Sequence, residues 1–176
     1  MRHGQNIRSG FKRFLPVVVQ VFLLFALSQK ITGQEPPPRP ITVTWTNQNL
    51  SFGAFYQGGI GGTVTISPVG SRSSTGDIVL LNLGYPTSPA PFRVVGNPGT
   101  VISILTGGPG FTLTGNPAGT MTLNVGNTDP VMPYVLTTIP PNYTEFKIGG
   151  TLVIGNPLVN PPGNYTGTYE VTFIQE

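Results

Sequence analysis

Between residues 96 and 119 the chain is cut three times by clusters of Gly and Pro: Gly96-Asn-Pro-Gly99, Gly107-Gly-Pro-Gly110 and Gly115-Asn-Pro-Ala-Gly119. Gly supplies the positive φ and Pro the fixed φ that turns require, and Pro cannot donate to a central ladder. The segments left between the cuts are too short for an ordinary helix and long enough for strands. This punctuation limits the chain to short extended elements joined by turns. The word Gly-Asn-Pro occurs at 96, 115 and 155 with unequal spacings and different flanks, so it marks turns and is not an internal repeat.

The segments between the cuts alternate. Ile41-Thr-Val-Thr-Trp-Thr46 sets Ile41, Val43 and Trp45 on one face and three Thr on the other, a period of two. Leu50 and Phe52 begin the next segment, and 63–67 alternates again. Residues 78–83 are apolar apart from Asn82, as expected of a strand covered on both faces or crossing the middle of a sandwich. Further strands are expected at 92–95, 100–105, 111–114, 120–125, 131–138, 145–148, 151–154 and 164–174. In the last of these Tyr165, Tyr169, Val171 and Phe173 share a face. Gly58-Gly-Ile-Gly-Gly62 reads as a hairpin loop, because a phosphate cradle would need a following helix and usually a Lys. Short strands at this spacing indicate a sandwich or a barrel. The expected core is Val43, Trp45, Phe52, Val64, Ile66, Leu80, Val94, Ile102, Leu123, Phe146, Leu152, Val171 and Phe173.

The 24 Gly and 19 Pro among 176 residues approach the range of aperiodic, unfolded chains. Such chains are usually rich in charge and poor in β-branched residues. Here charged residues are only 9%, and Thr alone numbers 22, so the Gly and Pro read as turns in an all-β domain.

The N-terminal segment has a different composition. Residues 2–13 are basic and polar, and 14–27 form an apolar run of 14 residues, short of the roughly 20 a spanning helix needs. Small residues follow at Ala26, Ser28, Thr32 and Gly33, completing the pattern of a secretory signal peptide with cleavage after Ser28 or Gly33. Residues 1–33 are therefore read as a signal-peptide helix, 34–40 as a Pro-rich linker and 41–176 as the folded domain. With Pro at 36, 37, 38 and 40, the linker favours a stiff polyproline II spacer. The expected destination is outside the inner membrane (periplasm, cell surface or medium), with no stable membrane span after cleavage.

The formal charge of +3 belongs to the leader. From Gln34 on there are four bases (Arg39, Arg72, Arg93, Lys147) and six acids (Glu35, Asp77, Asp129, Glu145, Glu170, Glu176). Without a basic stripe, nucleic acid is not an expected partner.

Chemistry is sparse. There is no Cys, and the one His, His3, lies in the leader, so the mature chain has no Ser-His-Asp triad and no thiolate or imidazole metal site. Lys147 has no nucleophile motif near it, and Asp129 in Asn127-Thr-Asp-Pro130 lacks calcium's further oxygen ligands. The sequons at Asn49, Asn142 and Asn164 read as turns and strand starts. No catalytic, cofactor or metal residues are assigned, and the protein is not expected to be an enzyme.

Four blocks carry a resemblance: Asn49-Leu-Ser-Phe-Gly-Ala-Phe55; Gly61 to Gly76; Phe146-Lys-Ile-Gly-Gly-Thr-Leu-Val-Ile-Gly155; and Gly163-Asn-Tyr-Thr-Gly-Thr-Tyr-Glu-Val-Thr-Phe173. In order and spacing they resemble a family of secreted bacterial β domains, the domain of unknown function numbered four-four-zero-two. That family is distantly similar to spore-coat-U-like proteins and chaperone–usher pilus subunits. The resemblance covers about 41–176 and implies an immunoglobulin-like antiparallel sandwich on the cell surface or in an appendage, with no catalytic residues. The chain departs from the pilus pattern in having no disulfide and only a Pro-rich stub ahead of Ile41.

Two functions follow as expectations. One is a non-catalytic surface or appendage module for structure or adhesion, meeting copies of itself or a surface partner through an open sheet edge. Long, alternating and free of Pro, 164–174 is the expected edge, with Asn164, Tyr165, Thr166, Thr168, Glu170, Thr172 and Ile174 along it; 92–95 is next. The other is a carbohydrate-binding module stacking sugars on exposed aromatics: Trp45, Tyr56, Tyr85, Tyr134 and Tyr143.

Overall fold

The computed structural model describes residues 39–108 and 110–176. The expected leader and residues 34–38 of the linker lie outside the described residues. Within them the chain forms β1 (Thr42–Trp45), β2 (Ser51–Phe52), β3 (Phe55–Ile66), β4 (Arg72–Leu80), β5 (Thr87–Ser88), β6 (Ala90–Val95) and β7 (Val101–Thr106). It continues through β8 (Phe111–Asn116), β9 (Thr120–Asp129), β10 (Tyr134–Val135), β11 (Thr144–Ile154), β12 (Asn164–Thr166) and β13 (Val171–Gln175). All pairings are antiparallel, and the described residues contain no helix.

A large sheet runs β1-β6-β11-β9-β8-β12, and the β3–β4 hairpin joins it through β11. A small sheet runs β10-β7-β13, and β2 and β5 form a two-stranded patch. The axis of the large sheet is β11. One edge of β11 pairs with β9. The other carries two strands end to end: 144–148 pair with β6, and 150–154 pair with β3. Gly149 stands at the changeover. A Cβ there would run into the carbonyl oxygen of Ile66 and lie 2.9 Å from the nitrogen of Pro68. The segments expected separately at 145–148 and 151–154 are thus one strand, and the glycines between them admit the second neighbour.

Alternation along β11 builds both halves of the core. Phe146 and Ile148 are fully buried in one half, and Leu152 and Ile154 in the other. Phe146, Val94, Ile102 and Leu136 form an apolar layer between β6/β11 and the small sheet, with Ile41, Met132, Tyr134 and Phe173 packed on it. Edge-to-face and tilted rings close this layer: Tyr134 and Phe173 lie 5.5 and 6.1 Å from Phe146, and Phe92 lies 5.5 Å from Phe173. A second cluster, centred on Val64, Ile66, Leu123, Leu152 and Ile154, underlies β3, β11 and β9. Tyr165 and Tyr169 pack against it from the C-terminal segment. The result is all-β, antiparallel and of sandwich type.

Several expectations change. Val43 and Trp45 are 38% and 49% exposed, although they share the core-side face with Val94 and Phe92, their register partners. Strand parity sets which face a residue takes, but at the sheet edge nothing in the described chain covers that face. Leu80, Val171 and Phe173 are half-buried. In 78–83 only Ile78 is fully buried, while Val79 and Leu83 are exposed, so that strand is covered on one face. Of 131–138 only Tyr134–Val135 forms a strand, started after Pro133, which cannot donate, and continued by the hydrogen bonds of Leu136 with Thr100 and Gly99. The glycine run 58–61 is no hairpin loop. It bulges inside β3, four residues facing the single Asp77 of β4. The Asp77 carboxylate accepts the Ile60 N–H at 2.8 Å, which satisfies a donor the bulge removes from the ladder. Residues 92–95 form an internal strand, covered by β1 on one side and β11 on the other.

Candidate functional site

The expected C-terminal edge is two strands in two sheets. Asn164, Tyr165 and Thr166 lie in β12, the last strand of the large sheet, paired with β8. Thr172 and Ile174 lie in β13, paired with β7. Thr168 and Glu170 belong to neither strand, because residues 167–170 carry the chain from one sheet to the other. The crossing needs Gly167, where a Cβ would lie 2.6 Å from the Thr112 carbonyl oxygen. Tyr169 anchors it, its ring 6.0 Å from Phe111. Burial raises the Tyr169 hydroxyl pKa above the ordinary phenol value. The long alternation read as one strand is real as a facing pattern. It persists through the crossing because Tyr165, Tyr169 and Phe173 all turn toward core clusters.

Among the described residues, β1, β2, β4, β5, β10, β12 and β13 each have a single strand partner. The edges of β1 and β13 belong together. At one end the Ile41 N–H donates to Oε1 of Gln175 at 3.1 Å. Further along, Trp45 lies opposite Phe92, and the Phe92 ring reaches Phe173 of β13. The flank between them presents the ladder edges of two sheets, with the core-facing side chains Val43 and Trp45 open to solvent. The Trp45 indole N–H donates to the Gln48 carbonyl at 3.1 Å, so the ring is oriented and its apolar body left available. No Lys or Arg lies in β1 or β13, so the usual charged protection of an edge is missing there. Sequence pattern placed Trp45 in the core because period two reports the face and not what covers it.

The aromatics proposed for sugar stacking do not come together as a set. Tyr134 turns its ring into the core against Phe146 and leaves the exposed group. Tyr56 is exposed in β3 opposite Val79, and Tyr85 is exposed in the connection between β4 and β5. Tyr143, also exposed, precedes β11, with the Arg93 guanidinium carbon 4.4 Å from its ring centroid. Tyr143 lies at one end of β11, and Tyr56 lies beyond the other. The eleven residue-to-residue steps from 143 to 154 span roughly 36 Å at about 3.3 Å per step.

Two polar residues that sequence reading missed are structural. Asn160 is 1% exposed; its Oδ1 accepts the Gly155 N–H and its Nδ2 donates to the Thr120 carbonyl. Its own carbonyl accepts Nε2 of Gln57 at the near end of the glycine bulge. Arg72 donates from Nη2 to Ala54 O at 2.6 Å and from Nη1 to Leu81 O at 3.2 Å, and burial lowers its pKa. Neither lies in a recognisable motif. Among the described residues, no three His, Cys, Asp or Glu side chains are grouped to hold a metal ion, and no helix is long and apolar enough to cross a membrane.

A family model described as a domain of unknown function (DUF4402) matches residues 41–174. No curated protein and no solved structure matches the chain.

Proposed function

We propose that this chain, which belongs to the DUF4402 family, works as a non-catalytic, exported surface or appendage module that assembles by accepting a strand from another chain at the β1/β13 flank. The observation that carries this reading is the exposure of Val43 and Trp45 on the core-side face of an edge strand. A strand laid along β1 gains backbone hydrogen bonds, and its alternate side chains cover those two residues, which is the logic of strand addition. Export is supported by the basic segment, short apolar run and small residues of 1–33. An immunoglobulin-like strand arrangement and kinship with pilus and spore-coat subunits are supported by the four sequence blocks alone.

The test is fractionation of the native host with and without the gene, followed by electron microscopy of the cell surface. The reading expects the chain in the exported fractions and a surface layer or appendage lost on deletion. Recovery only with the cytoplasm, with an unchanged surface, would contradict it.

A further inference from the structure

The outer face of the large sheet, on the side away from the core, concentrates charge that the domain otherwise lacks. Nine charged side chains lie between residues 39 and 176, and four of them occupy adjacent rungs there. Arg93 of β6 faces Glu145 of β11, and Lys147 of β11 faces Asp129 of β9. Register alone would pair Arg93 with Glu145. Instead, the one ion pair within 4 Å among the described residues is Lys147 with Glu145, at 3.7 Å. Arg93 lies over the Tyr143 ring. The ring covers one side of the guanidinium carbon, and among the described residues Arg93 makes no ion pair within 4 Å, so its fork is held in place for a planar oxyanion.

Beside this row is an open cleft of about 440 Å³, lined by Arg93, Glu145 and Lys147 and walled by the β1–β2 connection. That size falls within the range of small-ligand sites. The wall is fixed: Thr46 donates from Oγ1 to Pro91 O at 3.0 Å, and Gln48 from Nε2 to Pro89 O at 3.2 Å.

We infer that this cleft binds a carboxylate-bearing saccharide, with Arg93 holding the sugar carboxylate and Glu145 and Lys147 meeting hydroxyl groups. A polyphosphate is disfavoured, because its charges are compact and would all crowd Glu145 between the two cations, whereas a uronate chain carries one carboxylate per ring and sets a single one against Arg93 with hydroxyl groups toward Glu145. A purely neutral sugar would leave the stacked guanidinium unused. The site lies on the outer face and does not depend on strand addition at the β1/β13 flank.

The test is titration of the exported chain with a linear trimer of galacturonic acid, with the neutral galactose trimer and with an acetylated tetra-aspartate peptide, followed by calorimetry. The inference expects saturable binding of the acidic trimer, at least tenfold weaker binding of the other two, and weakening as salt rises. Arg93→Ala and Arg93→Lys should each lose at least tenfold, with unchanged circular dichroism and melting temperature, because a Lys cannot reproduce the fork. Lys147→Gln should lose less. Equal affinity for both sugars, no sugar binding, tighter binding of the peptide, or wild-type affinity in both Arg93 variants would each overturn it.

Discussion

The Ile41 N–H donates to Oε1 of Gln175 at 3.1 Å, fastening the residue ahead of β1 to β13 of the opposite sheet. This bond closes one end of the flank, and the Phe92–Phe173 contact closes its floor. Between them Val94 and Phe146 are fully buried, and the side chains left uncovered are those of the edge strand β1. Val43 and Trp45 have the parity of core residues and the exposure of surface ones.

That difference gives a stability contrast. Phe146 is fully buried at the centre of an aromatic cluster, so Phe146→Ala should cost about 3–5 kcal/mol. Trp45→Ala in the isolated chain should cost about 1 kcal/mol or less. Urea denaturation of the two variants measures both. A Trp45 cost as large as that of Phe146 would place the indole inside a closed core.

Asn160 offers a second check. Replacing it with Leu leaves the part-buried Gly155 N–H and Thr120 carbonyl bonds unmade and puts an apolar side chain in their place. Each such hydrogen bond contributes about 1 kcal/mol. Asn160→Leu should therefore lower the denaturation midpoint substantially despite being more apolar. An unchanged midpoint would show that the loop reorganises.

Glycines in this chain are not interchangeable. Gly149→Ala forces a methyl group against the Ile66 carbonyl and Pro68 where β11 changes neighbours, and should cost about 1–3 kcal/mol or more. Gly59→Ala meets nothing within 4 Å at the exposed bulge and should stay within about 0.5 kcal/mol of wild type. Thermal melts of both variants provide the comparison.

Alkaline pH should act through Tyr169. Burial raises its folded-state pKa above the unfolded value of about 10. The associated stability is complete below about pH 10 and is lost as pH rises through the folded pKa, because the unfolded phenol ionises first. Melting temperatures measured from pH 9 to 11 should fall, and Tyr169→Phe should flatten the fall. An identical decline in the variant would assign the effect to other groups.

Much of the fold is legible in the sequence because its signals are local. The Gly-Asn-Pro turns at 96, 115 and 155 all fall between strands or at their ends, and Val64, Ile66, Leu123 and Leu152 take the buried phase that alternation assigns them. What alternation cannot report is which strand lies next to which. Alternation alone therefore puts Trp45 and Val43 in the core. The joining of 145–148 with 151–154 across two glycines depends on β6 and β3 arriving end to end. The division of 164–174 between sheets depends on the space at Gly167. The outer row of Arg93, Glu145, Lys147 and Asp129 is scattered through the sequence and is assembled only by register.

The most direct measurement of the assembly account is photo-crosslinking in the native host, with a benzophenone side chain placed at position 45 and, as a control, at position 63 on the outer face of β3. The account predicts a discrete higher-mass adduct from position 45, containing a second polypeptide, and its loss when Val43→Lys places a charge on the same edge. No adduct from position 45, or equal adducts from both positions, would contradict it.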